Sequence, residues 1–294
     1  MFDIQEIYQP QNLQEALALA GRYPEAVIIA GGTDVLIEVR GGKLAGRELL
    51  SIHGLAELQG IEENAEGDLL IGPLNTFRDL EEDELIRRHI PILAQAAATV
   101  GGPQIRAMGT VGGNVANGVT SADTSSTLHV LEAELLLQGA DHQRLLPIKE
   151  FHIGPGRTAR ASGEILTKII IRRANFADCG GCYMKYSMRE AMDIATLGCA
   201  VLLKPDEGGR SIARLRIAFG VAAPVPRRAA ETEEALKGLS IDEARARIAQ
   251  LVRAEINPRD SWRASREFRL QVAGELAARA LTAAWQQALE RRQA

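Results

Sequence analysis

Ala26-Val27-Ile28-Ile29-Ala30-Gly31-Gly32-Thr33-Asp34 decides how this chain is read, together with a second glycine-rich stretch far downstream, Gly109-Thr110-Val111-Gly112-Gly113-Asn114. The first begins as a short apolar run rich in β-branched residues, the pattern of a buried strand. It ends in glycines that tolerate positive φ and let the main chain approach a ligand closely. A strand followed by such a turn aims backbone N–H groups at an anion, and Thr33 adds a hydroxyl. The residues of this turn alone are equally compatible with an ordinary strand-to-helix connection. Two such turns, each expected to offer a run of N–H groups, suggest two loops converging on one diphosphate. That points to a dinucleotide held between subdomains.

Asn12 to Ala20 reads as an amphipathic helix, with Leu13, Leu17 and Ala20 at helical spacing and Asn12 as its N-cap. Glu48 to Ile52 reads as a strand, so the first 55 or so residues form a small helix-plus-strand unit. A second unit follows: Leu69 to Gly72 is strand-like, Phe77 to Leu80 starts a helix, and Pro91 to Val100 is a helix with proline in its first turn. Ser121 to Ser125 opens a helix over Ser126 to Leu131, and Glu134 to Gln138 and Glu164 to Ile171 are strands. Gly180-Gly181 breaks the pattern, placing a boundary between Asn175 and Gly181. Beyond it, Tyr183 to Met188, Ala195 to Leu203 and Ser211 to Phe219 form a three-stranded antiparallel sheet, with a hairpin-type turn at Pro205 to Gly209. Ser240 caps a helix to about Ala254, and a long final helix covers Ser265 to Leu289.

Composition narrows the function. The chain has 294 residues, 46% hydrophobic and 24% charged, with a net charge of −4, so no global basic surface recruits nucleic acid. Aromatic residues are only 4%, which disfavours stacked-base recognition. No apolar run reaches the ~18 residues of a membrane span, and Met1 to Glu6 does not read as a signal peptide. A cytoplasmic protein is the simplest expectation. Neither the Gly-x-Gly-x-x-Gly fingerprint, nor a triphosphate-binding loop, nor a Gly-x-Ser-x-Gly elbow occurs. Cys179 and Cys182 have redox-like spacing but lack the surrounding βαβ pattern, and the five histidines show no metal spacing. No catalytic nucleophile and no metal site are expected: the chain reads as a cofactor holder.

Three further residues attract attention. Asn114 carries an amide that both donates and accepts. Asp123 either accepts from ribose hydroxyls or caps a helix. Lys185, in the apolar strand Tyr183-Met184-Lys185-Tyr186-Ser187, marks an edge or exposed face, or else a cation near a phosphate or a reduced isoalloxazine.

The stretches Ala30 to Leu36, Gly109 to Asn114, Ser121-Ala122-Asp123, Gly163 to Leu166, Lys185 to Arg189, Asp193-Ile194-Ala195, Ala218 to Pro224 and Ser261 to Ser265 resemble, in order and over essentially the whole chain, the FAD-binding subunit of molybdenum hydroxylases. That group includes xanthine dehydrogenase, aldehyde oxidase and aerobic carbon monoxide dehydrogenase. Gly102 to Arg106 and Met188 to Ile194 carry the likeness most strongly toward the separate FAD subunit of bacterial xanthine dehydrogenases. The resemblance implies an α+β fold. A two-subdomain FAD-binding domain of the vanillyl-alcohol-oxidase-like (PCMH) type would occupy residues 1–176, in parts of about 1–56 and 57–176. A C-terminal flavoprotein domain, a three-stranded antiparallel sheet with helices, would occupy 177–294.

It further implies that Val27, Ile28, Ile29, Ala30, Gly31, Gly32, Thr33 and Asp34, with Gly109, Thr110, Val111, Gly112, Gly113 and Asn114, cradle the FAD diphosphate. Asp123 would contact the ribose or its surroundings, Leu166 would pack against the flavin or adenine side, and Lys185 would sit close to the cofactor. Arg189 and Met192 fall where such subunits shape the flavin face that meets NAD. Partner subunits would carry molybdopterin and 2Fe–2S clusters, electrons would pass through FAD to NAD, and xanthine would be the substrate of the complex. Carbon monoxide, nicotinate or an aldehyde is the alternative substrate; an FAD-binding assembly module without NAD activity is the alternative role.

Overall fold

The computed structural model describes residues 3–293. The first unit is a parallel three-stranded sheet in the order Ile4–Tyr8, Arg47–Ser51, Val27–Ile29. Helix Leu13–Arg22 crosses over between its strands and is capped by Asn12, whose Oδ1 accepts from the Glu15 N–H at 2.9 Å. Ala16, Ala20, Leu50 and Ile52 form its small core. Strand Ile4–Tyr8 carries no alternating apolar pattern, being half-buried only at its two ends, so the sequence does not announce it.

The second unit is a five-stranded antiparallel sheet, ordered Ile61–Glu63, Leu69–Ile71, Ile165–Ile171, Glu134–Gln138, Gln143–Pro147. The helices between Phe77 and Val130 pack on it around Leu93, Ala97, Val115 and Leu128. Two elements differ from the sequence expectation here. The second glycine-rich stretch is not an open turn, because Thr110 caps a helix, Val111–Asn117, that swallows it. The following helix begins earlier than expected, at Asp123, and runs to Val130 with all eight residues buried. Its N-cap position is Ala122, so Asp123 is a helical residue rather than the cap.

The C-terminal sheet is antiparallel and four-stranded: Gly180–Tyr186, Leu197–Pro205, Ile212–Gly220 and a two-residue strand, Arg227–Arg228. The expected count of three missed that last strand, which is too short to show a period. Gly180-Gly181 is no break but the start of the first strand. A Cβ on Gly180 would lie 2.0 Å from Ala284 O, so glycine there lets the long helix Arg266–Gln293 lie directly on the sheet. Ser240 closes a reciprocal capping box with Glu243 at the start of helix Ile241–Glu255. Among the described residues, no helix is long and apolar enough to cross a membrane.

Two stacked imidazoles, His129 and His152, lie buried with ring centroids 5.6 Å apart. Burial pushes the pKa of His129 down to about 4 and lowers that of His152. Both are therefore neutral in the fold, while in the unfolded chain they titrate near ~6.5. Their depressed values favour the fold above that pH, and the contribution drains away as pH falls from ~6.5 toward 4. Melting followed by circular dichroism is expected to drop across this window, and His129→Gln is expected to flatten the drop; an unchanged pH profile in that variant contradicts the assignment.

Candidate functional site

A cleft of ≈ 880 Å³ opens between the first two units, within the size range that takes a dinucleotide. The first glycine loop forms one wall, and Val27, Ile28, Ala30, Gly31, Gly32, Thr33 and Asp34 all line it. Strand Val27–Ile29 delivers the chain to this point and helix Val35–Arg40 carries it away. Between them Gly32 takes φ +72°, the left-handed turn that the sequence suggests. The N–H groups of Gly31, Gly32, Thr33, Asp34 and Val35 make no hydrogen bond to any described residue, whereas Leu36 N–H donates to Gly32 O at 3.0 Å. Five successive unpaired amides beside a cleft form an anion-binding concavity.

The second glycine stretch does a different job. Its amides are spent inside the protein: Val111 N–H donates to Asn75 O at 3.0 Å, Gly112 to Pro73 O at 2.8 Å, and Asn114 to Thr110 O at 3.0 Å. Gly113 N–H donates to Thr110 Oγ1 at 3.1 Å. The expectation of two open amide runs is thus corrected to one. The glycines are required by packing, since a Cβ on Gly112 would meet Pro73 Cβ at 2.4 Å and Pro73 O at 2.7 Å. Thr110, Gly112, Gly113 and Asn114 still line the cleft, while Ile29, Gly109 and Val111 sit behind it.

The two stretches do converge. A Cβ on Gly31 would lie 1.7 Å from Met108 O and 3.2 Å from Gly109 Cα. Asn117 Nδ2 donates to Asp34 Oδ2 at 2.8 Å, a second tie between them. The second stretch is a rigid buttress on which the amide loop rests.

Asp123 lines the cleft, buried at the start of its helix. Its Oδ1 accepts from Tyr183 Oη–H at 2.7 Å and its Oδ2 from Lys185 Nζ at 2.9 Å. Lys185 also donates to Thr99 O at 3.0 Å. Burial raises the pKa of Asp123, against the pull of Lys185 and Tyr183. Burial, with the Asp123 charge next to it, likewise raises the Tyr183 phenol. Lys185 faces Gly198 across the sheet, and a Cβ on Gly198 would lie 2.8 Å from Tyr183 Oη, so glycine there makes room for the phenol. Lys185 is therefore neither an exposed strand residue nor a free cation; its ammonium is paired inside the protein, and its stem lines an adjoining cavity of ≈ 480 Å³. Leu166 is buried and lines the main cleft. The sequence does not point to Tyr183 or Thr99 as parts of the site: Tyr183 reaches Asp123 60 residues away and Thr99 O accepts from Lys185 86 residues away, and no local pattern links them.

The segment from Arg160 to Ser162 also lines the cleft, through Arg160 and Ser162. Ser162 Oγ donates to Pro24 O at 2.7 Å, joining the two units. Glu164, fully buried, organises this segment: Arg144 grips both its oxygens at 2.7 and 2.8 Å, and Ala161 N–H donates to it at 2.7 Å. The Arg144 guanidinium beside Glu164 holds its pKa down at about 2. This contribution is present above the unfolded value of ~4.5 and is lost as pH falls toward 2. Glu164→Gln is expected to cost about 2–3 kcal/mol at neutral pH in urea unfolding and about half of that at pH 3, where the folded carboxylate is still ionised; equal losses at both pH values contradict this.

Cys179, Cys182 and Cys199 are buried free thiols. Burial pushes the pKa of Cys182 up to about 11, and Cys179 Sγ accepts from Arg214 at 3.0 Å. No group of three or more histidine, cysteine or acidic side chains positioned for a metal occurs among the described residues.

Two family models match the chain. Residues 2–173 match the FAD binding domain in molybdopterin dehydrogenase, and residues 182–284 match the CO dehydrogenase flavoprotein C-terminal domain. A xanthine dehydrogenase FAD-binding subunit of Escherichia coli O157:H7 is 40% identical over 92% of this chain and 93% of its own length. A carbon monoxide dehydrogenase medium chain of Hydrogenophaga pseudoflava is 30% identical over 95% of this chain and 96% of its own. Among solved structures, a carbon monoxide dehydrogenase from Hydrogenophaga pseudoflava that lacks the Mo-pyranopterin moiety superposes with a TM-score of 0.89. It is 30% identical and covers 96% of this chain and 97% of its own.

Proposed function

The chain belongs to the FAD-binding subunit family of molybdopterin dehydrogenases, and on that premise we propose that it is the FAD-carrying, electron-transferring subunit of a xanthine dehydrogenase-type molybdenum hydroxylase. The observation that carries the reading is the run of five unpaired N–H groups from Gly31 to Val35, facing a cleft of dinucleotide size. Bound FAD supplies the step between one-electron and two-electron transfer, which no side chain can. The protein binds and orients. Gly31 to Val35 neutralise the diphosphate with backbone dipoles, and the buttress at Met108 and Gly109 holds those amides in place. Asp123, its carboxyl held by Tyr183 and Lys185, meets one half of the dinucleotide, and Leu166 offers it an apolar surface.

We assign cofactor binding to residues 1–176 and the closing C-terminal flavoprotein domain to 177–294. The electron donor is a partner chain holding 2Fe–2S clusters, fed by a molybdopterin subunit, and the acceptor is NAD in the cytoplasm. Xanthine is favoured over carbon monoxide as the substrate of the complex by 40% against 30% identity to the corresponding relatives. Co-expression with the neighbouring subunits and anaerobic titration with NADH tests this. The expected result is a complex that releases FAD on acid denaturation and whose flavin absorbance NADH bleaches. A complex that releases no flavin refutes the FAD reading; one that holds flavin NADH does not bleach points to the assembly-module role.

A further inference from the structure

Arg160 lines the same cleft as Asp123 and shares no hydrogen bond with the group formed by Asp123, Tyr183 and Lys185. Its Nη1 donates to two backbone carbonyls, Ala161 O at 3.3 Å and Glu164 O at 2.8 Å. The nearest carboxylate, that of Glu164, is already gripped through both oxygens by Arg144. Arg160 is thus a half-buried cation that forms no ion pair with any described residue, with N–H groups and a planar face left over. Burial lowers its pKa, the mark of a charge that the protein itself leaves undercompensated. Ser162, two residues on, ties this wall to Pro24 and fixes where the guanidinium sits.

An undercompensated guanidinium lining a nucleotide-sized cleft suits a purine face or a phosphate oxygen. A dinucleotide anchored by its diphosphate on Gly31 to Val35 has two halves to place, and Asp123 and Arg160 are two separate polar groups lining the same cleft. Resting on the FAD reading above, we propose that Arg160 holds the adenylate half of the cofactor and so selects the dinucleotide over the mononucleotide FMN. Arg160 is a specificity residue and takes no part in electron transfer.

The test is equilibrium titration of the full-length apoprotein with FAD and with FMN, followed by flavin fluorescence. Arg160→Gln is expected to raise the Kd for FAD about tenfold or more while leaving that for FMN within about twofold. AMP is expected to compete with FAD on the wild type and to lose that ability in the variant. Equal weakening of both flavins, or an unchanged Kd for FAD, overturns the proposal. Should Arg160→Gln fail to fold, Arg160→Lys, which keeps the cation but not the planar fork, serves the same comparison, with the same loss expected for FAD alone. A wild-type chain that binds neither flavin sinks the FAD reading itself, an outcome distinct from a loss of selectivity.

Discussion

Gly31→Ala yields a folded chain that no longer retains flavin. The added Cβ would sit 1.7 Å from Met108 O and 2.7 Å from Met108 C. Both are backbone atoms, so no side-chain rotation relieves the overlap, and the amide loop must move away by about 1 Å or more. A displacement of that size destroys the alignment of five N–H groups on one diphosphate. FAD affinity is expected to fall on the order of 100-fold, about 2.7 kcal/mol. Gly42→Ala is the control for left-handed strain of the kind Gly32 carries: its φ is +75° but its Cβ meets nothing within 4 Å, so it bears that strain without touching the buttress. Gly32→Val is expected to weaken binding as well, mostly through its φ of +72°, since its nearest neighbour is the movable end of Leu36 at 3.1 Å. Isothermal titration with FAD checks all three; retention by Gly31→Ala of wild-type affinity contradicts the buttress.

Asp123→Ala is expected to cost about 3–5 kcal/mol of stability, because it strands a buried ammonium. Lys185 is 8% exposed at its side chain and would keep only Thr99 O as a partner. Tyr183 would lose its acceptor too. The double variant Asp123→Leu, Lys185→Met removes both charges and is expected to regain much of that loss. Urea unfolding of Asp123→Leu, Lys185→Met and the double gives the coupling; a loss under about 1 kcal/mol in Asp123→Ala contradicts the assignment of a desolvated pair.

Much of this architecture is legible locally. The β-branched run Val27–Ile29 is the strand it resembles, and Asn12 and Ser240 cap the helices assigned to them. Such features depend on spacing over a few residues, which a sequence displays directly. The second glycine stretch deceives because Gly112 and Gly113 have poor helix propensity; only packing against Pro73 and the Thr110 cap override it. Lys185 announced itself as a charge in an apolar strand, but its partner Asp123 lies 62 residues away and no period connects them. The strand Arg227–Arg228 and the cleft lining at Arg160 belong to irregular segments fixed by long-range contacts, such as Ser162 with Pro24, 138 residues apart.

One measurement reaches the centre of the account: the crystal structure of the chain with FAD. The expected result is a diphosphate whose oxygens lie about 2.7–3.2 Å from the backbone nitrogens of Gly31 to Val35. A diphosphate bound elsewhere, with those five amides facing water, contradicts it.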